Sequence, residues 1–276
     1  MIGTDKSIFD ENSDARQRMV EYGGLVEKLR IVVLSRPFSS FKIGKKVRGF
    51  DLVTAQDPFE CGLIGYVAAK ILRVPLQLQA HTDFLSKYFW RESLLNKIRV
   101  LIAKFLIPRA GCVRVVSKRI KKSLSAISYQ LSAISVLPIF VDVEKIKNAP
   151  VETDLHVKYP QFDFIILMAS RLTKEKNIRL AIEAMEEIVK KYPKTGLIIV
   201  GSGSEENKLK TESQDLKANI VFESWSNDLA SYYKTADLFL LTSNYEGYGR
   251  TLVEAATAGC PPASQARALR AGKIIS

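Results

Sequence analysis

Glu246 and Glu254 bracket Gly247-Tyr248-Gly249-Arg250 in the second half of this 276-residue sequence. Before them runs Asp237-Leu238-Phe239-Leu240-Leu241, which reads as a buried parallel strand. After them, Val253 to Ala258 reads as a helix, with Gly259 as its stop. The glycines therefore fall on a loop between a strand's carboxyl end and a helix's amino end. Open α/β sheets place ligands at that edge, and free helix amides there attract phosphates. Gly247 and Gly249 let the backbone approach a ligand closely. A second loop of the same kind is Ser170-Arg171-Leu172-Thr173-Lys174-Glu175-Lys176-Asn177. Arg171 offers a planar fork for two phosphate oxygens and Lys176 a point charge. A helix dipole disfavours cations at that end, so the pair points to an anionic partner. Lys174 reads as solvated.

Other positions carry weaker signals. Leu197-Ile198-Ile199-Val200-Gly201-Ser202-Gly203 is a strand followed by G-x-G, but the third glycine of a dinucleotide fingerprint is absent. Trp225, in Phe222-x-x-Trp225, suits ordinary packing. In the first half, His81 follows the strand Pro75 to Ala80 and serves either as a hydrogen-bond partner at the sheet edge or as a structural residue. Asp57, after Gln56, could line the same edge or be structural. No close Cys/His grouping and no D-x-D pair is present, so no bound metal is expected.

The elements that must position these residues alternate. The first half reads as a strand at Met1-Ile2-Gly3, a helix from Ser13 to Leu29, a strand from Arg30 to Ser35, a basic loop from Phe38 to Arg48, and a strand from Asp51 to Ala55. A helix from Cys61 to Leu72, the strand to Ala80 and one long helical stretch from Phe84 to Ile107 follow. Then come a strand from Cys112 to Val116, a helix capped by Ser117, and a strand-and-turn from Ser135 to Asp142. The second half reads as strands at Phe164–Met168, Leu197–Val200 and Asn219–Phe222, with helices at Asn177–Tyr192, Glu205–Leu216 and Asp228–Thr235. Such alternation predicts βαβ units and parallel sheets. The boundary is expected in the polar stretch Lys145 to Pro160, giving domains 1–150 and 151–276.

The composition, 47% apolar and 25% charged, is that of an ordinary globular chain. No apolar run reaches the roughly 18 residues of a membrane span, and the first residues carry no signal-peptide pattern. Cys61, Cys112 and Cys260 are far apart and odd in number, which suggests a reducing compartment. The net charge of +12 sits wholly in residues 1–150, with 25 Lys/Arg against 13 Asp/Glu; residues 151–276 hold 16 of each. From Lys87 to Lys122 eleven basic residues face one acid, Glu92. Basic and aromatic residues together on the long helix suit an anionic membrane surface or, equally, a core helix with a solvated basic side. No nucleic-acid motif accompanies the charge.

The Glu-x7-Glu stretch with its small residues resembles the donor-site signature of retaining glycosyltransferases of the GT-B fold, family 4. Ser170 to Asn177 resembles the family's G-R-L-x-x-x-K-N segment, with Ser170 where glycine is usual. Gly201 and Gly203 match its L-x-I-V-G-x-G segment, and Pro138-x-x-Val141-Asp142 its interdomain crossover. The resemblance runs from Ile31 to Pro261. It implies two Rossmann-like parallel-sheet domains facing across a cleft, with the second incomplete. It implies transfer of a sugar from a nucleotide-diphosphate sugar to an acceptor hydroxyl, with retention and no cofactor, in polysaccharide, lipopolysaccharide or glycolipid synthesis. Glu246 would lie at the sugar–diphosphate end, Arg171 and Lys176 at the leaving diphosphate, and His81 at the sugar or acceptor. Glu254 would hold the ribose; Gly247, Tyr248, Gly249, Arg250, Gly201, Gly203 and Trp225 would complete the donor site. The expected partners are a carbohydrate or lipid-linked acceptor and an anionic membrane surface, with the protein cytoplasmic or peripheral at the inner face. Two features depart from the pattern. The loop Gly3 to Ser7 lacks the family's paired glycines, and Pro262 to Arg270 is not expected to continue as the family's apolar strand. An inactive nucleotide-sugar-binding remnant is the alternative, and a sugar-nucleotide epimerase a more distant one.

Overall fold

A computed structural model describes residues 1–34, 49–127, 133–215 and 219–264. The basic loop expected from Phe38 to Arg48 lies outside them. Contacts divide the chain into two compact units, Met1–Pro138 and Ile139–Ser276. The division falls ahead of the polar stretch from Lys145 to Pro160, because α6 (Val143–Asn148), capped by Asp142, packs on elements of the second unit.

The first unit holds a six-stranded, wholly parallel sheet. Its strands are β1 (Ile2–Gly3), β2 (Val32–Val33), β3 (Val53–Ala55), β4 (Leu76–Ala80), β5 (Cys112–Val115) and β6 (Ile134–Val136), in the order β2-β1-β3-β4-β5-β6. The helices are α1 (Asp14–Gly24), α2 (Glu60–Leu72), α3 (Lys87–Glu92), α4 (Leu94–Leu106) and α5 (Lys118–Leu124). α1 ends at Gly24, short of Leu29, where the glycine pair withdraws helix support. The single helix expected from Phe84 to Ile107 is two. Ser93 is extended (φ −157°, ψ 159°), and its hydroxyl accepts from the Asn96 amide at 3.0 Å, capping α4. Ser86 caps α3 in the same way through Tyr88. A serine hydroxyl that bonds a nearby amide ends one helix and starts the next.

The second unit holds a five-stranded parallel sheet in the order β11-β10-β7-β8-β9. The strands are β7 (Phe164–Ala169), β8 (Thr195–Val200), β9 (Ile220–Glu223), β10 (Leu238–Leu241) and β11 (Pro262–Ser264). Its remaining helices are α7 (Leu155–Lys158), α8 (Ile178–Lys191), α9 (Glu206–Asp215), α10 (Leu229–Thr235) and α11 (Arg250–Thr257). Both faces of this sheet are covered, which is why its strands read as unbroken apolar runs. Ile165, Leu167 and Ala169 pack with Phe239, Tyr232, Tyr233 and Ala255 on one face. Ile166 and Met168 pack with Ile178, Ala181, Ile182 and Met185 on the other. Ile182 is fully buried, and each such side chain contributes about 1.5–3 kcal/mol. Pro262 to Ser264 does form a strand, contrary to expectation: β11 pairs in parallel with β10, Phe239 opposite Pro262 and Leu241 opposite Ser264. The ladder is made by the backbone, so small side chains suffice. Two units of parallel strands with helical crossovers are the α/β architecture expected.

Candidate functional site

Three loops meet at the carboxyl edge of the second sheet. The loop after β7 carries Arg171 and Lys176, the loop after β8 carries Gly201 and Gly203, and the loop after β10 carries Glu246 to Gly249. They are bonded to one another. The Leu172 amide donates to Ser202 O at 2.9 Å, and Glu205 N to Leu172 O at 2.9 Å. Asn244 N donates to Glu175 O at 2.9 Å, and the Thr242 hydroxyl to Lys176 O at 3.0 Å. The two glycines make the first seam possible. A Cβ on Gly201, whose φ is +146°, would sit 1.9 Å from Ser170 O, and one on Gly203 would sit 2.3 Å from Leu172 O. The resemblance places this pair in the donor site; in the structure, the lack of side chains at both positions lets one loop lie against the other.

The charged groups separate into a central pair and outer members. The Lys176 ammonium lies 2.6 Å from Glu246 Oε1, which also accepts from the Ser243 hydroxyl at 2.7 Å. Both side chains are largely shielded, 15% and 22% exposed, so their attraction is little screened. Arg171 is 74% exposed and pairs with Glu175 at 3.1 Å, leaving its guanidinium at the rim. Lys174 is exposed, as a solvated side chain should be.

α11 begins at Arg250, earlier than the Val253 start suggested by the sequence, so Glu254 sits in its second turn. Gly249 takes the N-cap position at φ +77°, and no side chain caps the helix. A left-handed φ is accessible to glycine at little cost. Leu252 N and Val253 N turn back to Gly249 O at 3.0 and 3.3 Å, and no side chain caps the amides of Arg250 and Thr251 ahead of them. Glu254 is buried; its Oε1 accepts from Arg250 Nε at 2.6 Å and its Oε2 from the Tyr233 hydroxyl at 3.2 Å. Burial, and then the Glu254 charge, push the Tyr233 hydroxyl above the ordinary tyrosine range. Tyr233 thus stays a proton donor to that carboxylate. Gly247 and Tyr248 are half-buried on the loop. Trp225 is 53% exposed on the segment following β9.

His81 lies at the carboxyl end of β4 in the first unit. A polar chain leads to it: the Thr54 hydroxyl donates to Gln77 Oε1 at 2.9 Å, Gln79 Nε2 donates to Thr54 Oγ1 at 3.2 Å, and Gln79 Oε1 faces His81 Nε2 at 3.1 Å. With the Gln79 carbonyl as acceptor, Nε2 carries the ring proton and Nδ1 keeps its lone pair. The residue keeps an exposed face, yet protein around the ring lowers its pKa. The Arg114 guanidinium adds to that shift and Asp57 opposes it. Asp57 itself caps α2, its Oδ1 accepting from Phe59 N at 2.8 Å and Cys61 N at 3.2 Å. Asp5 likewise bonds within its own loop, to Ser7 N at 2.9 Å.

Sequence reasoning missed Ser243, Tyr233, Gln79, Thr54 and Arg114. Ser243 and Tyr233 meet the two glutamates only through the fold. Gln79 and Arg114 could have been noticed, as polar residues inside strands. Among the described residues there is no group of His, Cys, Asp or Glu able to hold a metal ion.

Two family descriptions match the chain: Glycosyltransferase Family 4 over residues 8–145 and Glycosyl transferases group 1 over residues 156–271. The chain belongs to glycosyltransferase family 4. One relative, the Escherichia coli UDP-Gal:alpha-D-GlcNAc-diphosphoundecaprenol alpha-1,3-galactosyltransferase, is 29% identical over 81% of this chain and 59% of its own. The alpha-monoglucosyldiacylglycerol synthase of Streptococcus pneumoniae is 26% identical over 84% and 58%. The chain thus spans under six-tenths of the length of these relatives. Among solved structures, Thermosynechococcus elongatus sucrose-phosphate synthase superposes with a TM-score of 0.70 at 20% identity, covering 87% of this chain and 67% of that one. Anabaena HepE, crystallised with UDP-glucose, superposes at 0.69 and 21% identity, covering 92% and 71%. These likenesses show the fold to be that of the GT-B glycosyltransferases. The family 4 match over the first unit includes α2, β4 and His81, and the group 1 match over the second includes all three stitched loops.

Proposed function

We propose that this family 4 chain transfers a sugar from a nucleoside-diphosphate sugar to an acceptor hydroxyl, with retention at the anomeric carbon, in the synthesis of a polysaccharide, lipopolysaccharide or glycolipid. The observation that carries this reading is the shielded Lys176–Glu246 pair beside the uncapped start of α11. A departing diphosphate gains negative charge as the glycosidic bond breaks. An ammonium already fixed by a neighbouring carboxylate and a set of helix amides can receive that charge without reorganising. Arg171, at the rim, can swing onto the same phosphates. Glu246, once Lys176 is shared with the diphosphate, is positioned at the sugar end. Glu254 offers its remaining lone pairs to ribose hydroxyls, and Trp225 a ring face to the base. His81 Nδ1 accepts a hydrogen bond from a sugar or acceptor hydroxyl as a neutral group. No metal and no cofactor enters this scheme.

The named activities of the relatives support UDP as the nucleotide, because UDP or a UDP-sugar appears in the descriptions of the E. coli relative and of the HepE complex. The basic first unit supports an anionic, lipid-linked acceptor and a place at the inner membrane face. The test is thermal denaturation of the full chain with a panel of nucleoside diphosphates, followed by product analysis with the matching sugar donors. UDP at a hundredfold excess over its Kd should stabilise the chain by about 2.7 kcal/mol, and Lys176→Ala should abolish that gain. If no nucleoside diphosphate stabilises the chain, the donor site is misassigned. Stabilisation without any sugar released or transferred would leave a binding module.

A further inference from the structure

The first unit has a hollow of about 420 Å³ at the opposite, amino edge of its sheet. It is walled by Tyr66, Lys70 and Arg73 at the end of α2, by Pro75 leading into β4, and by Arg109 before β5. None of the described residues lining it is acidic. Lys70, Arg73 and Arg109 pair with no carboxylate among the described residues. Two of these cations are held in place by aromatic rings: Lys70 lies 5.6 Å from the centre of Tyr66, and Arg109 lies 4.0 Å from that of Phe105 while donating to Phe105 O at 2.7 Å. Tyr66 and Phe105 meet edge to face at 5.9 Å, so the hollow opens beside the junction of α2 and α4.

The outer faces of those two helices are apolar. On α4, Leu94, Ile98, Leu101 and Phe105 recur at spacings of four, three and four, the period of one helix face; on α2, Val67 and Ile71 do the same. All six are between 45% and 73% exposed. α4 contains Lys97, Arg99 and Lys104 and no acid, and the one acid at the start of α2, Glu60, is taken by Arg99 at 2.8 Å. An apolar stripe bordered by cations is the surface that enters a bilayer interface. Nucleic acid would satisfy the cations but would leave the stripe in water.

We propose that the Lys70–Arg73–Arg109 hollow binds the phosphate of an anionic phospholipid headgroup while the α2–α4 stripe rests in the acyl boundary beside it. This deepens the membrane placement given above. It names the lipid class and the residues that select it, and it is independent of the donor site on the second unit. The hollow is large enough for a glycerophosphate group, and its aromatic walls hold the cations without neutralising them.

Vesicle flotation tests this with the full chain at low salt, using phosphatidylcholine vesicles with and without phosphatidylglycerol. The wild-type chain should bind only the vesicles containing phosphatidylglycerol. Lys70→Ala with Arg109→Ala should weaken that binding about thirtyfold, near fivefold for each charge. Lys190→Ala with Lys194→Ala, which removes the same charge from the second unit, should leave it within about twofold. Leu101→Ser should weaken it without changing the preference for phosphatidylglycerol. Equal losses in the two double variants would overturn the hollow as the selecting site while leaving a general electrostatic contact. Full displacement by soluble glycerol phosphate would make it a site for a free phosphate ester. No binding by the wild-type chain would overturn the membrane placement as well. UDP-dependent stabilisation of each variant reports separately on the donor site and on folding, and it should be unchanged in all of them.

Discussion

The starts of α2 and α11 occupy the same place in their two units, just past the carboxyl end of a parallel strand, and they are finished in opposite ways. At α2 the chain supplies its own anion: Asp57 Oδ1 accepts from two amides of the turn. At α11 no side chain does so, and the nearby acid, Glu246, turns instead to Lys176 on the adjoining loop. The neighbouring groups follow the same division. The first edge is lined by a chain of neutral side chains, Gln77, Thr54, Gln79 and His81. The second is lined by a shielded ion pair with Arg171 at its rim. Asp57 places a carboxylate on the first turn of α2 at Cys61 N, whereas the Arg250 and Thr251 amides of α11 have no side-chain acceptor, and such amides attract a phosphate. In the proposed function, charge handling falls to the second edge and hydrogen bonding by a neutral His81 to the first.

The sharpest test of that contrast is Lys176→Ala. Removing a preorganised charge partner should lower sugar-transfer turnover about 10²–10³-fold, read as kcat with a UDP-sugar donor, with only a small change in melting temperature. Unchanged turnover would erase the distinction between the edges. Next in size is Gly201→Ala, which should destabilise the chain by about 3 kcal/mol in urea titration. The new Cβ meets Ser170 O, and alanine tolerates that φ poorly. Gly23→Ala in α1, where a Cβ meets nothing within 4 Å, should be neutral or stabilising by about 0.5 kcal/mol. Asp57→Ala should cost about 1 kcal/mol, the worth of a helix cap, while leaving UDP affinity unaltered; a matched loss of affinity would show that the first α2 turn also serves the donor.

The smallest effect concerns pH. The folded pKa of His81 lies below its unfolded value of about 6.5. Above that value both states are neutral there and nothing is lost. As pH falls through it, the unfolded chain takes the proton first, so stability declines on the acidic side. NMR titration should place the His81 ring below the usual histidine range, and Gln79→Ala should change the shift pattern of its nitrogens. A ring that titrates normally and ignores Gln79 would remove the neutral role given to it.

Much of the molecule was legible because its determinants are local. Unbroken apolar runs such as Phe164 to Ala169 mark strands covered on both faces, and the 3.6-residue recurrence of Ile178, Ala181, Ile182 and Met185 marks a helix. The strand–loop–helix order around Glu246 and around Lys176 follows from the same patterns. What could not be read were outcomes of competition. Ser93 splits one apparent helix because its hydroxyl bonds the Asn96 amide in preference to letting the helix continue. β11 forms from Pro262, Ala263 and Ser264 because β10 offers it an open backbone edge, for which side-chain type matters little.

The sequence by itself determined which residues reach the carboxyl edges, since each follows a strand and precedes a helix along the chain. Only the tertiary structure decided what those residues do there. Lys176 and Glu246 are far apart in the chain and meet because β10 pairs with β7. Gly201 and Gly203 serve loop-on-loop packing because β8 lies on the other side of β7. Strand order is set by how whole faces bury against one another, a sum over contacts distant in the chain, and no local spacing encodes it.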